Sequence, residues 1–251
     1  MRYFIELAFN GADFYGWQRQ PNVISVQETL EEKLAIVLQK DTEIIGAGRT
    51  DTGVHARQIF AHFEAEEIPD YQLFLYKLNG MLPKSIAVKN VYKMFPEAHA
   101  RFDATAREYQ YFIDLEKNPF TEKYALFIKN KLDVEAMNEA AGILLAYKDF
   151  QCFSKSRTDV FTYNCDIEYA YWKKKDHQLV FTIKANRFLR NMVRAIVGTL
   201  IEIGSGKKTV EQMHEIIQSK SRSEAGVSVE AKGLFLTKVE YPSSIFLTEN
   251  E

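Results

Sequence analysis

The chain has 251 residues, of which 46% are hydrophobic and 26% charged, and its formal net charge is −2. This composition excludes a disordered chain and allows one large domain or two of ordinary size. No apolar run approaches the roughly 18 residues that a membrane-spanning helix needs. The N-terminal residues alternate as a strand does, and the two cysteines, Cys152 and Cys165, form no CxxC pair. We therefore expect a cytoplasmic protein that makes no membrane contact.

The first part of the chain predicts the element order β-α-β-β-α-β. Apolar residues alternate over residues 2–8, and Ser25 with Glu28 forms a capping box before a helix predicted over 25–39. The other elements predicted here are strands at 43–47, 57–64 and 86–94 and a helix at 70–79.

The same order recurs in the second part. The predicted strands are 106–115, 166–173, 178–186 and 233–239. Of the predicted helices, one begins after Asp133, one spans 188–203 and one begins after Thr209. We expect an α+β fold in which two ferredoxin-like units join into one extended antiparallel or mixed sheet with a central cleft. The expected division is a first unit at 1–103, a second at 104–242 and a C-terminal tail at 243–251.

The stretch from Gly46 to Ala56, here called the Asp51 loop, combines flexibility with reactive groups. Three glycines lie within eight residues, and Arg49, Asp51 and His55 lie among or beside them. The simplest interpretation is a glycine-rich turn with solvated side chains. The alternative is a site in which Arg49 stabilises an ionised Asp51 that acts as a nucleophile or proton acceptor on a nucleotide.

Three other interpretations of this loop are weaker. Asp51-Thr52-Gly53 matches the aspartic protease triplet, but that chemistry needs a second copy of the triplet and the chain has none. A metal site at Asp51 and His55 lacks a third ligand at suitable spacing. A phosphate-binding loop would require a GK[ST] sequence, which is absent.

Other candidate binding residues are basic or aromatic. In the helix predicted over 188–203, an arginine stripe follows the helical period and favours phosphate or carboxylate binding, with Gly198 beside it to admit a backbone or a ligand. Tyr109 and Tyr111 share one face of their strand, and either packs in the core or stacks on a base. The stripe is Arg187, Arg190 and Arg194, and two loops add Arg19 (14–20) and Lys155 and Arg157 (146–164).

Several motifs in this order resemble the tRNA pseudouridine synthase A family. The matching segments are Gly16-Trp17-Gln18, Gly48 to His55, Ala106 to Tyr111, Asp149-Phe150 with Phe153-Ser154, Ala185 to Arg194, and Lys232 to Leu236 with Tyr241-Pro242. The resemblance implies an isomerase that converts uridine to pseudouridine at positions 38–40 of the tRNA anticodon arm. It also implies a homodimer that binds the anticodon stem-loop and uses no cofactor or metal.

By this resemblance Asp51 is the catalytic aspartate, which attacks the nucleotide or abstracts a sugar proton. Tyr109 matches the tyrosine that stacks on the target base, and Arg194 the arginine that pairs with the aspartate. Arg49 matches a residue that helps to displace or stabilise the flipped-out nucleotide. His55 is left with a structural role in fixing the loop.

One segment departs from the family pattern. The family usually has Ala-Pro-Ala before the last glycine-leucine pair, whereas this chain has Val229-Glu230-Ala231. Because of this departure, the resemblance does not predict the local backbone geometry near the target uracil. The alternative function from another class is a tRNA-binding protein or chaperone that keeps the fold without the chemistry.

Overall fold

The computed structural model describes residues 1–155 and 160–247 and has a mixed α/β architecture. The chain divides into two compact units. Unit 1 comprises Met1–Thr105 and the C-terminal segment from Leu236, and unit 2 comprises Ala106–Phe235. Among the described residues, no helix combines the length and the apolar character needed to cross a bilayer.

Unit 1 follows the predicted order β-α-β-β-α-β. Its elements are β1 (Arg2–Phe9), α1 (Val26–Leu38), β2 (Ile45–Gly46), β3 (His55–Glu64), α2 (Tyr71–Met81) and β4 (Ile86–Met94). The strand order is β4-β1-β3, with β2 also paired to β3. Tyr3, Ile5 and Leu7 on β1 are fully buried, and the Phe63 ring lies 6.3 Å from the Phe74 ring of α2.

Both helices of unit 1 begin at the side-chain caps that the sequence provides. The Ser25 hydroxyl accepts a hydrogen bond from the Glu28 amide at 3.2 Å, which confirms the predicted start of α1. The Asp70 carboxylate accepts from the Leu73 amide at 2.9 Å and begins α2. Each cap satisfies a backbone donor that the first helical turn leaves unpaired.

The last strand, β9 (Leu234–Glu240), corrects the expected division of the chain. It starts with the last two residues of unit 2 and continues in unit 1, where it neighbours β3. The next residues stay in unit 1, because the Tyr241 ring contacts the rings of Phe4 at 5.4 Å and Phe60 at 5.2 Å. The C-terminal segment therefore completes the first unit, whereas we expected it to close the second unit and continue as a tail.

Unit 2 contains mainly antiparallel strands and three helices. Its elements are β5 (Ala106–Asp114), β6 (Leu126–Phe127), α3 (Val134–Ile143), β7 (Ile167–Lys175), β8 (Gln178–Ala185), α4 (Met192–Gly204) and α5 (Gln212–Ser219). The strand order is β5-β8-β7. The short strand β6 pairs parallel to β5 and was not predicted from the sequence.

Helix α4 begins four residues later than predicted. Asn191 precedes it in the left-handed conformation, with φ of 68°, which is incompatible with continuing a helix through residues 188–191. Arg187 and Arg190 therefore lie in the connection between β8 and α4, and the predicted helical arginine stripe is wrong. Of its three members, only Arg194 lies on the helix.

Candidate active site

The Asp51 loop in unit 1 is fixed by main-chain contacts. The Trp17 amide donates to the Thr50 carbonyl at 3.2 Å, and the Val54 amide donates to the Asp51 carbonyl at 3.1 Å. Gly16, with φ of 89°, lies so close that an added Cβ would be 2.4 Å from the Thr50 oxygen. The backbone on both sides of Asp51 is therefore held in place, while the Asp51 residue is half-buried.

The glycines of the Asp51 loop serve different purposes. Gly46 lies against the Trp17 indole, because an added Cβ would be 2.5 Å from Trp17 Cε2. Gly53 adopts a φ of 77°, which disfavours other residues. At Gly48 an added Cβ would meet no described atom within 4 Å. Gly48 therefore leaves room beside it for a ligand, whereas Gly46 does not.

His55 has the loop-fixing role expected for it. It is 1% exposed, and its Nδ1 accepts a hydrogen bond from the Gly11 amide at 3.0 Å. Accepting at Nδ1 requires a ring that carries no proton on that nitrogen. An added Cβ on Gly11 would lie 2.0 Å from the Val54 oxygen, so this contact joins two closely packed backbones.

The loop at 14–20 serves mainly as an anchor. Phe14 and Trp17 are 4% and 3% exposed, so its aromatic residues are mostly core. The Arg19 guanidinium lies 3.3 Å from Glu28 and 3.5 Å from Glu31 of α1. These ion pairs give Arg19 a structural role in addition to the predicted RNA contact. Arg49, in the Asp51 loop, is exposed.

In unit 2 the two tyrosines of β5 differ although they share a face. Tyr109 pairs in register with Ile183, and Tyr111 pairs with Phe181. Tyr111 is fully buried and donates to the Glu230 carbonyl at 2.8 Å, and burial raises the pKa of its hydroxyl above the usual range. Tyr111 is thus a core residue.

Tyr109 keeps a partly accessible ring. It is half-buried, and its ring meets the Phe188 ring edge-on with centroids 5.2 Å apart. A perpendicular contact of this kind holds the two rings at a fixed angle to each other. The geometry therefore distinguishes Tyr109, which suits base stacking, from Tyr111, which does not.

Arg194 on α4 is oriented by a neighbouring backbone. Its Nε donates to the Val229 carbonyl at 2.7 Å, and the Val229 amide donates to the Arg194 carbonyl at 3.2 Å. Gly198, one turn further along α4, lies against the Val227 oxygen, so it admits a backbone at the place where we expected a backbone or a ligand. The side chain of Arg194 is half-buried.

The remaining basic residues lie around the connection between β8 and α4. The Lys155 amide donates to the Arg190 carbonyl at 3.0 Å, which brings these two predicted RNA-binding residues together. Arg187 is half-buried, and Arg190 is exposed. Arg157 lies outside the described residues.

The loop at 146–164 has a paired stem. The Phe150 amide donates to the Tyr163 carbonyl at 3.1 Å, and the Cys165 amide donates to the Lys148 carbonyl at 2.9 Å.

Both cysteines, Cys152 and Cys165, are buried, and burial raises their thiol pKa values to about 12 and about 11. They are therefore inert core residues rather than nucleophiles.

The chain is similar to known enzymes over nearly its whole length. A family model described as tRNA pseudouridine synthase matches residues 140–242. The proteins named tRNA pseudouridine synthase A from Bacteroides fragilis and Parabacteroides distasonis are 53% and 50% identical, covering 98% and 99% of this chain and the same shares of their own lengths. One from Brevibacillus brevis is 38% identical over 94% of this chain and 97% of its own.

The chain belongs to the tRNA pseudouridine synthase family. It is an isomerase that acts on uridine in tRNA, and the resemblance read from its motifs is confirmed.

Proposed function

We propose that this enzyme converts uridine to pseudouridine at positions 38–40 of the tRNA anticodon arm, with Asp51 as its nucleophile or base. The observation that carries the proposal is the state of Asp51: a half-buried carboxylate in a loop whose backbone is fixed on both sides. A reacting group needs such fixed placement, since small displacements lower the rate strongly. The anticodon stem-loop is then the part of tRNA that the enzyme binds.

The reaction needs only a bond exchange at the sugar. The bond from uracil N1 to the sugar C1′ breaks, the uracil rotates, and C5 forms the new bond to C1′. The proton on C5 is released to solvent and N1 gains a proton, so nothing is oxidised or hydrolysed. Asp51 serves this exchange by attacking the nucleotide or by abstracting a sugar proton.

Other residues have supporting roles in the proposal. Tyr109 stacks on the target base, in keeping with its partly accessible ring. Arg49, which is exposed, stabilises the flipped-out nucleotide. Pairing of Arg194 with Asp51 stays a prediction, and a double-mutant cycle on the two residues tests it.

The phosphate contacts are assigned to the basic residues of unit 2. Arg190 and Lys155 are joined through their backbones, and Arg187 lies three residues before Arg190. Contacts of this kind release counterions, so tRNA affinity falls steeply as salt rises. Replacing Arg190 by Met should flatten that dependence, and an unchanged slope would remove Arg190 from the set. We further propose that the enzyme is a cytoplasmic homodimer.

The test uses tRNA that carries tritium at uracil C5. The wild-type enzyme should release the label to water, Asp51→Ala should release none, and the matched control Asp41→Ala, at an exposed carboxylate of the same unit, should match the wild type. Sequencing of the product at positions 38–40 then locates the pseudouridine. Full activity of Asp51→Ala would refute the role of Asp51, and tRNA binding without label release by the wild type would favour the non-catalytic alternative.

A further inference from the structure

A segment of unit 2 that ends at Val229 lies directly beside Arg194. Residues 225–229, here called the 225–229 segment, pack against α4 through two glycines. A Cβ added at Gly198 would lie 1.8 Å from the Val227 oxygen, and a Cβ added at Gly226 would lie 2.7 Å from the Thr199 nitrogen. The Gly226 amide also donates to the buried Thr199 hydroxyl at 2.8 Å. The two backbones are therefore in direct contact.

Side chains complete this attachment at Ser228. Its hydroxyl accepts from Asn191 Nδ2 at 2.6 Å and from Arg222 Nη2 at 2.8 Å. Arg222 also donates through Nη1 to the Gly226 carbonyl at 3.0 Å and the Ala225 carbonyl at 3.3 Å. Asn191 and Arg222 thus bind the segment through the Ser228 hydroxyl and two of its carbonyls. Asn191, Arg222 and Ser228 are here called the Ser228 cluster.

The segment in turn determines where Arg194 points. Val229 follows Ser228 directly, and its carbonyl accepts the Arg194 Nε hydrogen bond at 2.7 Å. We infer that Arg222 is a positioning residue for the reaction: through Ser228 and the 225–229 segment it fixes the Val229 carbonyl that orients the Arg194 guanidinium. The inference rests on the proposed function, in which Arg194 belongs to the catalytic site.

The choice of arginine at position 222 follows from its geometry. A guanidinium presents several N–H donors in a rigid plane, so it can reach two carbonyls and a hydroxyl at once. A lysine ammonium is a single point on a flexible stem, so it retains the charge without the fixed geometry. Charge alone is therefore insufficient for the role.

The experiment compares Arg222→Met and Arg222→Lys with the wild type in steady-state label release from C5-tritiated tRNA. We expect Arg222→Met to lower kcat about tenfold with KM changed by less than about twofold, because misplacing a catalytic group slows the reaction step without weakening binding. Arg222→Lys should recover little of this loss. Ser228→Ala should also lower kcat, and the double variant should be no slower than Arg222→Met, since both changes break one network.

Lys208→Met is the matched control, because the Lys208 ammonium pairs with the Glu202 carboxylate of α4 at 3.7 Å rather than with the Ser228 cluster. It removes the same charge from unit 2 and should leave kcat unchanged. Thermal unfolding of every variant fixes an assay temperature at which all are folded.

Three results would overturn the inference: an unchanged kcat in Arg222→Met, a raised KM with unchanged kcat, or full recovery by lysine. The second would make Arg222 an RNA contact instead. The wild-type and Asp51→Ala reactions run alongside, so failure of the proposed function would appear there as absent or Asp51-independent release.

Discussion

Two regions of the molecule, unit 1 and unit 2, fix their backbones by opposite chemistry. In unit 1, buried imidazoles accept hydrogen bonds from main-chain amides: His55 from Gly11 and His62 from Ala100, each at 3.0 Å. In unit 2, guanidinium groups donate to main-chain carbonyls, as Arg194 does to Val229 at 2.7 Å. An imidazole accepts only while neutral, whereas a guanidinium stays charged at every relevant pH.

The comparison also has a shared part. Each region brings one backbone against a glycine that leaves no room for a side chain, at Gly11 beside Val54 and at Gly198 beside Val227. Close packing is thus common to both units, and the difference lies in the polar groups that secure it. We therefore expect both regions to be sensitive to added volume, and only the first to be strongly sensitive to acid.

The largest expected effect tests the close backbone packing that both regions share. Gly198→Ala places a Cβ 1.8 Å from the Val227 oxygen. Because the Cβ is held rigidly by the α4 backbone and the oxygen belongs to the backbone of the 225–229 segment, the segment must move. We expect the free energy of unfolding to fall by about 3 kcal/mol, despite the better helix propensity of alanine. Urea unfolding followed by circular dichroism measures the change.

Gly142→Ala is the matched control for this substitution. Gly142 lies within α3 of the same unit, and an added Cβ there would meet no described atom within 4 Å. It should stabilise the protein by up to about 1 kcal/mol through helix propensity. Equal effects of the two substitutions would show that the contact at Gly198 does not matter.

The next effect tests the difference between the units through pH. Burial, with the positive charge of Arg2, lowers the pKa of His62 to about 4 from 6.5. Between these values the unfolded chain binds a proton that the folded chain does not, so stability falls as pH drops from 6.5 towards 4. For this group the loss between pH 7 and pH 4.5 is about 2 kcal/mol.

The two tryptophans allow each unit to be followed separately. Trp17 belongs to unit 1 and Trp172 to unit 2, and both are buried. In a Trp172→Phe background, the Trp17 fluorescence transition should shift to lower urea at pH 4.5, and His62→Gln should reduce that shift. In a Trp17→Phe background, His62→Gln should leave the pH shift of the Trp172 transition nearly unchanged. Equal effects of His62→Gln on both transitions would contradict the comparison.

The accuracy with which the sequence predicts this structure depends on how far apart in sequence the contacting residues lie. The caps at Ser25 and Asp133 act within three residues, and the helices they begin were predicted well. The late start of α4 depends on the conformation of Asn191, which no periodicity reveals. The Ser228 cluster was missed altogether, because Asn191 and Ser228 are separated by 37 residues and only tertiary packing brings them together.

The candidate site shows the same limit. The motif around Asp51 predicts a reactive loop, but the distinction between Tyr109 and Tyr111 comes from the burial of each side chain in the folded chain. Strand alternation placed both on one face, and the register confirms this. The buried Tyr111 hydroxyl has its hydrogen-bond acceptor in the Glu230 carbonyl, which lies 119 residues away in sequence. The sequence therefore predicts which elements carry the site better than which side chains are accessible.

The smallest expected effect concerns Glu230, at the position where the resemblance in sequence led us to expect a proline. Glu230 has φ of −55° and ψ of 144°, close to the conformation that proline fixes. Its carbonyl accepts from Tyr111, and a proline would retain that carbonyl. Its carboxylate lies 3.3 Å from the Lys232 ammonium, but its side chain is 60% exposed, so the ion pair contributes about 0–1 kcal/mol.

Glu230→Pro should therefore change the free energy of unfolding by less than about 1 kcal/mol, because the lost ion pair is offset by the lower entropy of the unfolded chain. Label release from tRNA should also be unchanged. Glu230→Ala isolates the contribution of the ion pair and should lie slightly below the wild type in urea unfolding. If Glu230→Pro folded normally but lost activity, the carboxylate would have a role in the reaction. If it unfolded readily, the segment after the Ser228 cluster would need a backbone freedom that proline removes, and side-chain bonds alone would not explain how unit 2 secures this region.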